Sequence, residues 1–182
     1  MIKYILLGFL NYQPMTGYEI KQTLDHSVSH FWHAYHSQIY TTLRQMEADA
    51  LVVSEFIHGE GQPDRRVYSL TDAGRAEFKA WLDQPLTEMS PIKEELILRL
   101  FFSARRDKNS VLAELIMQRE LHQKKLSEYR TIEVSDIEEN AKTHPEMQRD
   151  AIFWKMTLNM GISYEKMYID WLDRTIQEIE GL

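Results

Sequence analysis

The chain has 182 residues, 43% of them hydrophobic and 27% charged, with a formal net charge of −7 and no cysteine. That composition argues against intrinsic disorder, excludes disulfides and thiolate metal sites, and makes a reducing cytoplasm the simplest location. The acidic balance argues against nonspecific coating of nucleic acid, but phosphates respond to charge within about 8–10 Å, so a local basic patch remains open.

The apolar start YILLGFL, residues 4–10, is too short for a signal peptide or a membrane span and reads as a buried first helix over residues 2–11. A second helix opens on TGYE, where Thr16 and Glu19 have the spacing of a capping box, and Ile20, Leu24 and Val28 share one face. His30, Phe31 and Trp32 follow and are expected to plug the core. A third helix is predicted over residues 37–50, with Ile39, Leu43, Met46 and Ala50 as its apolar stripe. Its other surface carries Ser37, Gln38, Tyr40, Thr41, Arg44 and Gln45, and no carboxylate before Glu47.

Residues 51–58 and 65–70 are strand-like, and GEGQPD between them reads as the loop of a β-hairpin. Thr71 opens a fourth helix with Phe78, Trp81 and Leu82 on one face, stopped by Pro85. Two helices joined by a short link and followed by a hairpin form a winged helix-turn-helix. The fold class is therefore mainly α, with an α+β N-terminal half. A winged domain over residues 1–86 is followed by a helical domain over residues 87–182.

In the second half, a short apolar helix is predicted over residues 91–102. Another starts at Asp107 or Asn109 and runs to about residue 130, and residues 131–142 are either loop or solvated helix. THPE at residues 143–146 has capping-box spacing and starts a final helix reaching about Glu180. That helix carries a heptad-like stripe: Met147, Ala151, Trp154, Leu158, Gly161, Glu165, Tyr168, Leu172, Thr175 and Ile179. Met160, Tyr164, Met167 and Trp171 lie beside it. So wide an apolar surface needs a partner helix, most simply from a second subunit. Trp154, Leu158, Gly161, Tyr168, Leu172 and Ile179 are the dimerisation candidates.

TGYEI at residues 16–20, FWHAYHSQIYTTLRQME at 31–47 and RRVYSLTDAGR at 65–75 together resemble the PadR family of bacterial transcriptional regulators. The stretch at residues 61–85 and the helical tail are most similar to the subgroup containing virulence-gene activators. Thr41 and Thr42 depart from the family pattern, which leaves the DNA preference open. The resemblance implies a homodimer with two winged heads and a C-terminal dimerisation domain. It also implies regulation of nearby genes and release by a small aromatic effector.

In such a head, Ser37, Gln38, Thr41, Arg44 and Gln45 enter the major groove, where arginine reads guanine and glutamine reads adenine. Tyr40 bonds a phosphate. At least one of Arg65 and Arg66 reaches a phosphate, unless they pair with Glu60 or Asp64. Lys21 and Lys3 are weaker phosphate candidates, and Tyr18 either donates to a phosphate or packs on the first helix. Phe31, Trp32, Trp154, Tyr164, Tyr168 and Trp171 are the aromatic stock for an effector pocket, with core and dimer interface as the alternative. His26 and His30 have metal-ligand spacing but lack a carboxylate with a ligand role, so neither metal nor cofactor is expected. Motifs of catalytic loops and triads are absent, which argues against an enzyme. A docking or ligand-binding module that has lost DNA binding is the rival reading.

Overall fold

The computed structural model describes residues 1–28, 31–59, 62–143 and 147–182. The chain divides into two compact units, Met1–Ser90 and Pro91–Leu182.

In the first unit, α1 (Ile2–Tyr12) buries Leu6, Leu7 and Leu10. A two-residue strand, β1 (Met15–Thr16), leads into α2 (Gly17–Ser27). Thr16 caps α2 through the expected box: Glu19 N donates to Thr16 Oγ1 at 3.2 Å and Thr16 N donates to Glu19 Oε2 at 2.7 Å. Next come α3 (His36–Ala48), β2 (Val52–Gly59), β3 (Gln62–Leu70) and α4 (Asp72–Leu82). The sheet order is β1-β3-β2, antiparallel throughout, with Thr16 opposite Val67 and Ser54 opposite Tyr68. Helices α2 and α3 with this hairpin make a winged helix around a core of Leu6, Ile20, Leu24, Ile39, Leu43, Met46 and Tyr68. Strand β1 leaves no trace in the sequence pattern, because two residues are too few to show a period of two.

Three local expectations are corrected. Ala50 is not on the stripe of α3: the helix ends at Ala48, and Ala50 takes φ 56° and is exposed. There Leu51 N donates to Met46 O and Ala50 N to Glu47 O, a Schellman closure that requires a left-handed residue. Phe31 does not plug the core. It is 55% exposed, and Ala34 is the buried residue among those described in that link, while His30 lies outside the described residues. Leu82 points outward, whereas Trp81 stacks on Tyr4 at 4.5 Å and on Phe78 at 6.0 Å, tying α4 to α1.

The second unit holds α5 (Glu95–Phe101), a 3₁₀ turn (Ser103–Arg105), α6 (Lys108–Thr143) and α7 (Gln148–Glu180). Asp107 caps α6, accepting from Ser110 N at 2.8 Å. Residues 131–142 continue α6, so they are helix rather than loop. Thr143 ends α6, and the rest of the THPE motif falls on residues 144–146, outside the described residues. Helices α6 and α7 run antiparallel, and Lys108 Nζ donates to the Glu180 carbonyl at 2.9 Å to satisfy the C-terminal end of α7. Among the described residues, no helix is long and apolar enough to cross a membrane.

Candidate nucleic-acid interface

The apolar stripe of α3 is fully used inward: Ile39 and Leu43 are 0% exposed and Met46 1%. The 3.6-residue period therefore turns Ser37, Gln38, Tyr40, Thr41, Arg44 and Gln45 outward, and all six are exposed. Gln38 Oε1 accepts from Tyr35 N at 3.0 Å, capping the helix start and leaving its amide group outward. Arg44 Nε lies back on the Tyr40 carbonyl at 3.3 Å, and Gln45 Nε2 donates to Asp49 Oδ1 at 2.9 Å.

The Tyr40 ring rests on the start of α2. A Cβ on Gly17 would come within 2.6 Å of it, which explains glycine at that position and fixes how closely α2 crosses α3. Tyr18 is 58% exposed and accepts from Gln22 Nε2 at 3.1 Å. Its side chain is thus open to solvent beside the start of α2, and the alternative of packing on α1 is not what the fold shows. Lys21 pairs with Asp25 one turn along α2, and Lys3 bridges to Glu77 at 2.5 Å. Glu77 holds the Lys3 ammonium above its ordinary range, so Lys3 is a clamp between α1 and α4, not an outward cation.

The two arginines of β3 fall on opposite faces. Arg65 lies opposite Ile57 and is exposed. Arg66 lies opposite Phe56, on the face shared with the buried Tyr68 and Leu70. Its partner is not Asp64, and Glu60 lies outside the described residues. Instead its Nη2 donates to Glu47 Oε2 at 2.5 Å and its Nε to Ser54 Oγ at 2.9 Å, while the Ser54 hydroxyl donates to Glu47 Oε1 at 2.5 Å. The Ser54 hydroxyl, and then Arg66, hold the Glu47 carboxyl below the usual carboxylate range. Glu47 escapes sequence reasoning. Its one signal is a carboxylate in the last turn of a helix that leads directly into the hairpin.

In the second unit, the dimerisation candidates divide. Leu158, Tyr168 and Leu172 are 2%, 4% and 0% exposed because they bury against α6 of the same chain. The expectation that they meet a second subunit is therefore corrected. Trp154, Gly161 and Ile179 are half-buried. Instead, α7 exposes another row: Ile152, Phe153, Met156, Met160, Tyr164 and Met167.

Of the aromatic stock, Tyr168 is enclosed by His122 stacked at 4.1 Å and Trp171 edge-on at 5.2 Å, with Tyr164 at 5.7 Å. Burial raises the Tyr168 hydroxyl well above the phenol range. It is a core residue of the helical hairpin. Trp154 and Trp171 are half-buried and Tyr164 is exposed on this unit, while Phe31 and Trp32 belong to the first. His26 Nδ1 lies 2.7 Å from the Gln22 carbonyl oxygen, and no cluster suited to a metal ion occurs among the described residues.

Residues 6–80 match the family model described as the transcriptional regulator PadR-like family, and residues 92–180 match the one described as virulence activator alpha C-term. A probable transcriptional regulator of Mycobacterium tuberculosis is 29% identical over 188 residues, covering 98% of this chain and 97% of that one. Bacillus subtilis PadR in complex with operator DNA superposes with a TM-score of 0.81 at 23% identity, covering 98% of each chain, and the same protein with p-coumaric acid gives 0.73 at 23%, again covering 98% of each. The Vibrio cholerae virulence activator AphA gives 0.76 at 24%, covering 100% of this chain and 99% of its own.

Proposed function

Since the chain belongs to the PadR-like family of transcriptional regulators, we propose that it binds operator DNA as a homodimer, each head laying α3 in a major groove with the hairpin alongside. The observation that carries this is the outer face of α3, with six exposed hydrogen-bonding side chains, one of them arginine, and no carboxylate before Glu47. Arg44 and Gln45 read base edges, Tyr18 and Tyr40 position the head on phosphates, and Arg65 does so from the hairpin. Two-fold symmetry makes the operator a pseudo-palindrome.

Dimerisation is assigned to the second unit. From Phe153 to Met167 the exposed row on α7 advances in steps of three and four residues, the pattern that asks for a facing helix. Exposed apolar patches of this kind mark interaction sites. The relative solved with p-coumaric acid supports a small aromatic effector for this chain. The absence of cysteine suits a cytoplasmic location.

The test is fluorescence anisotropy of a labelled duplex from the gene's own upstream region, beside a scrambled duplex, at two salt concentrations. The expected result is tight binding to the upstream duplex alone, weakening as salt rises, with Arg44→Ala losing about 1–3 kcal/mol on that duplex. A folded dimer that binds neither duplex at low salt would overturn the reading in favour of a docking module. Sedimentation of Met160→Lys checks the dimer, which should dissociate.

A further inference from the structure

Arg66 sits in a closed ring of hydrogen bonds contributed by three elements. Glu47 comes from the last turn of α3, Ser54 from β2 and Arg66 from β3. The three bonds of 2.5, 2.9 and 2.5 Å return to the carboxylate they start from. The guanidinium also lies 5.4 Å from the Phe56 ring and 5.3 Å from the Tyr68 ring, on the same face of the hairpin. Its Nε and Nη2 are therefore engaged, and the plane they define lies near two aromatic rings. A guanidinium so held cannot swing its Nε–Nη2 edge to a phosphate without opening the ring. Arg65, one residue earlier, points to the other face and takes no part.

We propose that Glu47, Ser54 and Arg66 form a strut that fixes the angle between the hairpin and α3, so that Glu47 and Arg66 are positioning residues for DNA binding and Arg65 is the hairpin's phosphate ligand. This rests on the DNA-binding reading given above. A strut and simple electrostatics predict opposite signs. Glu47→Gln removes a negative charge beside the DNA face, which on charge grounds tightens binding. A strut predicts the reverse, because the hairpin loses the bond that aims it.

The experiment titrates wild type, Glu47→Gln, Arg66→Lys and Arg65→Ala against the bound upstream duplex. Each is repeated on that duplex cut back by the flank beneath the hairpin. Thermal unfolding of each variant shows that it is folded at the assay temperature. Glu47→Gln and Arg66→Lys are expected to bind the full duplex about tenfold more weakly, the scale of one charge-assisted bond. Their salt slope should be unchanged, and their affinity for the cut-back duplex should match wild type. Arg65→Ala should lower the salt slope by about one unit for each phosphate it no longer neutralises.

Tighter, steeper binding by Glu47→Gln would overturn the strut, since it would show Arg66 released to a phosphate. Unchanged affinity, or equal loss on both duplexes, also overturns it, because a merely structural role does not single out the flank. A wild type that binds no duplex removes the underlying reading as well, and shows it before any variant is compared.

Discussion

Gly74 and Ala50 are far apart in the chain, yet both serve the same corner, where α3 closes and α4 begins. Thr71 N and Thr71 Oγ1 donate to the Leu51 carbonyl at 3.1 and 3.0 Å, and Gly74 N returns to Thr71 Oγ1 at 3.0 Å. This draws the first turn of α4 so close that a Cβ on Gly74 would meet the Leu51 oxygen at 2.2 Å and Leu70 Cδ1 at 2.7 Å. The first obstacle is backbone, so it cannot swing aside. Gly74→Ala is therefore expected to destabilise by about 1–3 kcal/mol despite alanine's better helix propensity. A urea midpoint equal to wild type would show that the corner yields. Ala50 is the opposite case. It holds φ 56° and its methyl group is exposed, so Ala50→Gly should raise the urea midpoint, worth about 0.5–1 kcal/mol, with an unchanged m-value. A lower midpoint would mean that the strain is not there.

Helices α6 and α7 show what one sequence stripe can and cannot reveal. Along α7, Glu165 breaks an apolar row, and along α6, Val111, Leu115, Leu126 and Tyr129 form a matching row broken at His122. The fold brings the two exceptions together: His122 Nδ1 lies 2.5 Å from Glu165 Oε2, between the two apolar clusters of the helical hairpin. Glu165 is 7% exposed, so its carboxylate depends on that partner. Pairing at this one rung also favours the register, since a slip by one turn toward the C-terminal end of α6 sets the Glu165 carboxylate against Leu126. His122→Leu should cost about 3 kcal/mol or more, whereas His122→Leu with Glu165→Leu should return close to wild type. Far-UV circular dichroism in urea reads both, and simple additivity of the two single changes would refute the pairing. The capping box at Thr16, the inward row of α3 and the β-hairpin are legible in the sequence because each is local. The buried side of α7 is legible too, but a heptad row does not say which helix covers it. The row reads as asking for another subunit, whereas α6, extended through residues 131–142, already supplies the cover.

Charge limits how the proposed operator binding can work at the scale of the whole molecule. The first unit has seven lysines and arginines against eleven carboxylates. Five of the seven cations are already matched: Lys3 with Glu77, Lys21 with Asp25, Arg66 with Glu47, Arg75 with Asp72 and Lys79 with Asp83. Among the described residues, only Arg44 and Arg65 of this unit have no carboxylate within 4.0 Å. Among the described residues, the first unit thus keeps most of its positive charge for internal clamps and leaves Arg44 and Arg65 for the proposed contact with a polyanion. Counterion release then has few phosphates to count. With one or two neutralised by each head, a dimer should show a slope of log K against log salt of about −2 to −4. Hydrogen bonds from Tyr18, Tyr40, Thr41 and the α3 side-chain amides add affinity without adding to that slope, because neutral donors displace no ions. Discrimination between the upstream and scrambled duplexes should accordingly survive salt better than total affinity does. A slope steeper than about −6 would require cations now bound to Asp25, Glu47 or Asp72 to let go on DNA, and would place the binding energy in the clamps rather than in the outer face of α3.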